Sequence, residues 1–150
     1  MKIALGSDEA NELTAFLIEE LEKRGHSIVL RGPIDPSDPD VDWPLTSRHV
    51  AELVARGEVD EGIVCCWTGT GASIAANKIP GIRAASVNDA PSARLSREHN
   101  DANVLCLSAD LLGDRLVRRM VEIWLRTEFE AGRHQRRIEK ISGMESGQSP

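Results

Sequence analysis

The sequence predicts an α/β fold: five parallel strands in one sheet, with helices on both faces, giving three α/β/α layers. Two observations predict it. Short apolar runs alternate with segments of helical periodicity along nearly the whole chain. The run Ile63-Val64-Cys65-Cys66 is continuously apolar, as a strand buried on both faces requires. With 150 residues the chain is one domain by length, expected over 1–142, with a flexible Gly/Ser/Pro tail at 143–150. Right-handed crossovers narrow the topology, and a doubly wound order 2-1-3-4-5 is expected.

The elements follow in order. Residues 2–6 form the first strand, and Gly6-Ser7-Asp8-Glu9 the turn that caps the next helix. That helix, about 10–24, places Leu13, Phe16, Leu17 and Leu21 on one face and ends at Gly25. Residues 27–30 are the second strand. The Pro- and Asp-rich stretch 32–44 reads as a loop, and Val50, Leu53 and Val54 face inward from a helix at about 45–56. The third strand, Ile63 to Cys66, meets a Thr/Gly turn, and Ser73 to Lys78 opens a helix. A fourth strand covers 82–87, and Asn88-Asp89 caps a helix at 90–98. A fifth strand covers 103–107. A helix at about 112–127 carries Leu112, Leu116, Val117, Met120, Val121 and Trp124 on one face. The basic run Arg133 to Arg137 opens a last short helix.

Composition excludes several classes. A net charge of −6, with Lys and Arg scattered until residue 115, argues against general nucleic-acid binding. No apolar run approaches the ~18 residues of a membrane span, and the N-terminal strand is too short for a signal peptide. Three cysteines, two of them adjacent, make no disulfide framework and fit a reducing cytoplasm. No Cys/His spacing makes a zinc site.

Sites in doubly wound sheets lie beyond the carboxyl ends of the strands. The loops expected there carry Asp8-Glu9, Trp43, Cys66 to Gly71, Asn88-Asp89 and Ser108 to Asp110. Cys66 stands where a strand gives way to a helix amino terminus, where unpaired N–H groups and the helix dipole stabilise an anion. A drop in thiol pKa from ~8.5 to ~6.5 raises the thiolate fraction at neutral pH from ~3% to ~75%. Cys66 is therefore a candidate base or nucleophile, and Cys65, pointing to the other side of the sheet, a core filler. Thr68-Gly69-Thr70-Gly71 fits neither the dinucleotide nor the P-loop pattern; its glycines let backbone approach a ligand, and an oxyanion cradle is the reading retained. His99 can exchange a proton near neutral pH, or be a solvated residue at a helix end. Arg133 and Arg137 are one turn apart and can converge on one phosphate, or belong to a solvated face; the segment could also reach a neighbouring subunit.

Together, Gly6-Ser-Asp8, the cysteine–Thr-Gly-x-Gly turn, Ser73-Ile-Ala-Ala-Asn-Lys78, Pro80-Gly-Ile-Arg-Ala84, Arg97-Glu-His-Asn-Asp-Ala-Asn-Val104 and Gly132-Arg-His-Gln-Arg-Arg137 resemble the ribose-5-phosphate isomerase B / galactose-6-phosphate isomerase family, over residues 2 to about 141. The resemblance implies a Rossmann-like fold and cofactor-free aldose–ketose isomerisation of a small sugar phosphate. It also implies a homodimer or homotetramer with shared active sites. By position, Cys66 would be the base acting through a cis-enediolate. Thr68 and the N–H groups of Gly69, Thr70 and Gly71 would hold the enediolate oxygens. Asp8 would bind sugar hydroxyls or help open the ring, with Asn100 in the same pocket. His99, from the partner subunit, would open the ring. Arg133 and Arg137 would hold the phosphate, with His134 beside them.

The chain departs from the family pattern at four points: Glu9 replaces a usual His, Trp43 a Tyr, Trp67 a Gly after the cysteine, and Asp110 an Arg. Two of these move charge toward negative and oppose a phosphate. The substrate is therefore expected to be a sugar other than ribose 5-phosphate, or an unphosphorylated one. A non-catalytic sugar- or nucleotide-binding protein and a thiol redox protein using Cys65 and Cys66 are the rival readings.

Overall fold

The computed structural model describes residues 1–39 and 42–147. Asp40 and Val41 of the expected loop, and residues 148–150 of the expected tail, lie outside the described residues. The described strands are β1 (Lys2–Ser7), β2 (Ser27–Arg31), β3 (Glu61–Cys66), β4 (Ala84–Ser86) and β5 (Val104–Ser108). The described helices are α1 (Glu12–Lys23), α2 (Trp43–Ala55), α3 (Thr70–Ala76), α4 (Ala90–Asn100), α5 (Asp114–Arg126) and α6 (Gln135–Glu145).

All strand pairs are parallel and the sheet order is β2-β1-β3-β5-β4. The expected order 2-1-3-4-5 is thus corrected in its last two places. The physical reason is burial. Val104-Leu-Cys-Leu-Ser108 is buried at every position, whereas Ala84-Ala-Ser86 is three residues long and partly exposed. A short strand of small residues suits a sheet edge, and a continuous apolar run suits the interior. At that edge the Asn77 side chain takes the place of a further strand: its Nδ2 donates to Ala84 O at 2.9 Å and its Oδ1 accepts from Ala84 N at 2.8 Å. Nδ2 also donates to Ser73 O at 2.8 Å, which ties the edge to α3.

The two faces of the sheet carry separate cores. Leu13, Leu17 and Leu21 of α1 and Val117, Met120, Val121 and Trp124 of α5 pack with Ile3, Leu5, Ile63, Leu105 and Leu107 on one face. Val50, Ala51 and Leu53 of α2 and Ala72 and Ala76 of α3 pack with Ala4, Val64, Val104 and Cys106 on the other. Alternation along β3 therefore sends Cys65 into the first core and Cys66 toward the second.

Some boundaries differ from expectation. The cap of α1 is Asn11, whose side chain and Thr14 form a reciprocal capping box, rather than a residue of the Ser7–Glu9 turn. Trp43 is the first residue of α2 instead of part of a loop. Leu112 precedes α5, and Leu116 is 36% exposed, so the buried stripe of that helix begins at Val117. Helix α6 runs on to Glu145, taking in residues assigned to the tail, and the Glu145 carboxylate accepts from Gly81 N at 3.0 Å.

Candidate active site

Because the strands are parallel, β1, β3 and β5 end side by side at the carboxyl edge of the sheet, on Ser7, Cys66 and Ser108. Cys66 is the tip of the middle strand. The loop after β5 is stitched to the turn after β3: Ala109 N donates to Cys66 O at 2.9 Å, and Trp67 O accepts from Ser108 Oγ at 2.7 Å and Asp110 N at 3.3 Å. Leu111 N completes the latch on Ser108 Oγ at 2.9 Å. Sequence reasoning placed Ser108 at this edge without seeing that its hydroxyl fixes the turn beside Cys66. A buried serine ending a central strand was the available signal.

The turn itself depends on Gly69. Its φ of +77° lies in the left-handed region, and a Cβ there would stand 3.1 Å from the Leu107 carbonyl carbon. Thr70 N donates to Thr68 Oγ1 at 3.3 Å, so that amide is engaged inside the turn. The Gly71 amide stands in the first turn of α3, ahead of any i−4 partner within the helix. The Trp43 indole lies over Gly71, within about 3 Å of where a Cβ would be. Trp67 is 68% exposed and projects beside the turn.

Cys66 is 4% exposed, against none for Cys65 and Cys106. Burial pushes the Cys65 thiol up to about 12, so it stays protonated, and burial raises the Cys106 thiol as well. Asp8 directly follows β1, beside Cys66's strand. Burial lifts its carboxyl above the usual range, with Glu9 adding to the effect and a backbone hydrogen bond opposing it.

The other candidates lie elsewhere. Helix α4 starts at the carboxyl edge and descends to the amino edge, where Arg97 NH2 meets the carboxylate of Glu61, first residue of β3, at 2.9 Å. His99 and Asn100 close that helix. The His99 ring stacks on His134, centroids 4.3 Å apart and planes 8° from parallel. Arg133 Nε donates to His134 Nε2 at 3.2 Å, and Arg137 NH1 lies 3.4 Å from His134 Nδ1. His134 is 3% exposed; burial, then His99 and the two guanidinium groups, hold its imidazole below the usual range, while Glu130, 3.5 Å away, pulls the other way. Asn100 helps line a separate cavity of about 310 Å³ with Asn77, Arg83, Ala85 and Ile141.

The expected site thus divides in a single chain. Asp8, Glu9, Trp43, Cys66, Trp67, Thr68, Gly69, Thr70, Gly71 and Asp110 gather at the carboxyl edge. His99, Asn100, Arg133, His134 and Arg137 gather at the amino edge, about 17 Å away along β3 at ~3.3 Å per residue. Asn100 and Asp8 do not share a pocket within one chain.

His99, Glu130 and His134 each offer an atom within 4.8 Å of the others, the spacing of a metal site. Yet two guanidinium groups face both nitrogens of His134, and a neutral imidazole accepts at only one of them. That charge balance favours an anion there over a cation.

Comparison with known proteins identifies relatives along nearly the whole chain. Ribose-5-phosphate isomerase B of Escherichia coli is 43% identical over 149 residues, covering 96% of each chain. The ribose-5-phosphate isomerase B structure from Clostridium thermocellum superposes with a TM-score of 0.91 at 45% identity, covering 99% of this chain and 100% of that one. The Mycoplasma genitalium structure, which has bound ribulose 5-phosphate, gives 0.87 at 37% identity over 97% and 96%. The Ribose/Galactose Isomerase model matches residues 3–141, so a cysteine-tipped central strand, a Gly-rich turn and a distant arginine pair occur here in a chain that belongs to that family.

Proposed function

We propose that this aldose–ketose isomerase acts on a small sugar phosphate of the ribose 5-phosphate/ribulose 5-phosphate type, through a cis-enediolate and with Cys66 as base. The observation that carries the reading is the position of Cys66, at the tip of the middle strand with the α3 amino terminus beside it. Its thiolate takes the proton from C2 of the open-chain aldose and returns one to C1, while O1 gains and O2 loses a proton. The enediolate carries negative charge on both oxygens, and Thr68 with the Gly69 and Gly71 amides supplies donors there. Trp67 and Thr68, the two residues after Cys66, are both exposed.

The amino-edge group enters from a second copy of the chain. No single copy can present Arg133, His134 and Arg137 to a sugar held at Cys66, because the sheet stands between them. Arg133 and Arg137 hold the phosphate with His134 between them, and His99 opens the ring, with Asn100 at its side. The assembly this arrangement requires is a homodimer, alone or paired into a homotetramer. Asp8 hydrogen-bonds a sugar hydroxyl. The three free cysteines fit a cytoplasmic enzyme, and among the described residues no helix is long and apolar enough to cross a membrane.

A second substrate reading rests on Asp8, Glu9 and Asp110, three carboxyl groups on the loops around Cys66. They favour hydroxyl groups over an anion at this edge, so a different or unphosphorylated sugar is the alternative. Turnover of a panel of aldose phosphates and free aldoses in D2O tests both. Deuterium entering the product at C1, abolished in Cys66→Ala, is the expected result. Efficient turnover of ribose 5-phosphate removes the alternative, and no exchange with any sugar leaves a non-catalytic binding protein.

A further inference from the structure

We propose that Glu61 is a positioning residue, whose carboxylate acts through Arg97 to set the last turn of α4 and so the imidazole of His99. Arg97 is the hub of the amino edge. Its NH2 binds Glu61 Oε1 at 2.9 Å, its NH1 donates to Ala102 O, its Nε donates to Thr127 O at 3.3 Å, and its guanidinium lies 5.1 Å over the Trp124 ring. One side chain therefore ties β3, the α4–β5 connection and the end of α5 to the turn that carries His99, two residues on. Two carboxylates that can change charge reach Arg97, and Glu61 at 2.9 Å is closer than Asp101 at 3.8 Å, so Glu61 has the larger control over how firmly the hub is held.

Glu61 sits where such control is effective. Its side chain is 12% exposed, and Oε2 is buried with no hydrogen-bond partner among the described residues. Burial raises its carboxyl to about 7 despite the attraction of Arg97; Asp101 and Asp60 add to the rise, and Arg83 opposes it. These are the charged groups that face it from α4, from the turn before β3 and from the segment before β4. Asp101 is itself shared, 3.8 Å from Arg97 NH1 and 2.8 Å from Arg83 NH2. When Glu61 takes up a proton, Arg97 loses its closest counter-ion and can turn toward Asp101, shifting the α4 end with it. A displacement of an ångström at a proton-transfer group is enough to alter turnover by one to two orders of magnitude.

The test compares wild type with Glu61→Gln, which keeps the shape of the side chain but cannot titrate. The His99 ring carbon signals are followed by NMR from pH 5 to 9 without substrate. Wild type should show an inflection near pH 7 that follows the Glu61 carboxyl, and Glu61→Gln should lack it. The kinetic arm rests on the isomerase reading: kcat should change about tenfold across that inflection in wild type and stay flat in Glu61→Gln, with KM less affected. Identical His99 titrations in the two proteins overturn the proposal, whether or not the protein isomerises a sugar. A Glu61→Gln protein that melts lower but titrates like wild type makes Glu61 a stability residue only and also overturns it.

Discussion

Replacing Gly69 with alanine tests the geometry of the turn beside Cys66, and Gly25 supplies a matched control. The two glycines have nearly the same φ, +77° and +78°, but a Cβ at Gly25 meets nothing within 4 Å. Gly25→Ala therefore carries only the cost of left-handed backbone, about 1–2 kcal/mol. Gly69→Ala carries that and a contact of 3.1 Å with the Leu107 carbonyl carbon, 3.3 Å with its oxygen and 3.2 Å with Ser86 Oγ. Leu107 belongs to the interior strand β5 and cannot retreat, so overpacking adds about 1–3 kcal/mol. At about 3 °C per kcal/mol for a chain of this size, Gly25→Ala should lower Tm by about 3–6 °C and Gly69→Ala by about 6–15 °C. Differential scanning calorimetry measures both. Isomerase activity should fall at least tenfold in Gly69→Ala alone, since only that turn aims amides at the developing charge. Equal melting losses for the two variants, or full activity in Gly69→Ala, would refute the described turn.

Other predictions follow from the same geometry. Cys65→Ser should lower stability by about 1–3 kcal/mol, by placing an unpaired hydroxyl in the core, with little change in kcat, as denaturant titration and steady-state rates would show; loss of activity comparable to that of Cys66→Ala would revive the thiol redox reading. Mixing Cys66→Ala chains with Arg133→Ala/Arg137→Ala chains, each inactive alone, should restore activity on exchange of subunits, because one intact site forms per mixed dimer; no recovery in verified mixed dimers would place the whole site in one chain. Because the Glu61 carboxyl is raised in the folded state, its contribution to stability is complete below its unfolded pKa of about 4.5 and lost as pH rises through about 7. Melting curves should show wild type losing up to about 3 kcal/mol relative to Glu61→Gln across that window. Asn77→Ala removes three hydrogen bonds at an exposed edge and should cost about 1–3 kcal/mol by chemical denaturation.

The architecture was legible because hydrophobic periodicity reports burial directly, and β3 with its Gly-rich turn could be placed from residue types alone. The order of β4 and β5 was misread because sequence neighbours were assumed to be sheet neighbours, although Ala84-Ala-Ser86 lacks the bulk of an interior strand. That Asp8, Cys66 and Asp110 emerge at the carboxyl edge, as candidates for one site, was legible because strand ends fix their positions. The stacking of His134 on His99 was not, since it depends on how the segment 127–134 returns across the amino edge. Glu61 also escaped notice. A glutamate opening a strand reads as solvated until Arg97 is seen to reach it from α4.

The amide of Asn77 has a consequence for solubility. A parallel sheet must stop somewhere, and its outermost strand ordinarily leaves rungs to which a stranger's backbone can attach. Here one carboxamide mimics a peptide group and occupies the Ala84 rung from within the molecule. Losing it would expose a docking edge for fibrous self-association, so selection at this position can act through colloidal behaviour as well as through folding.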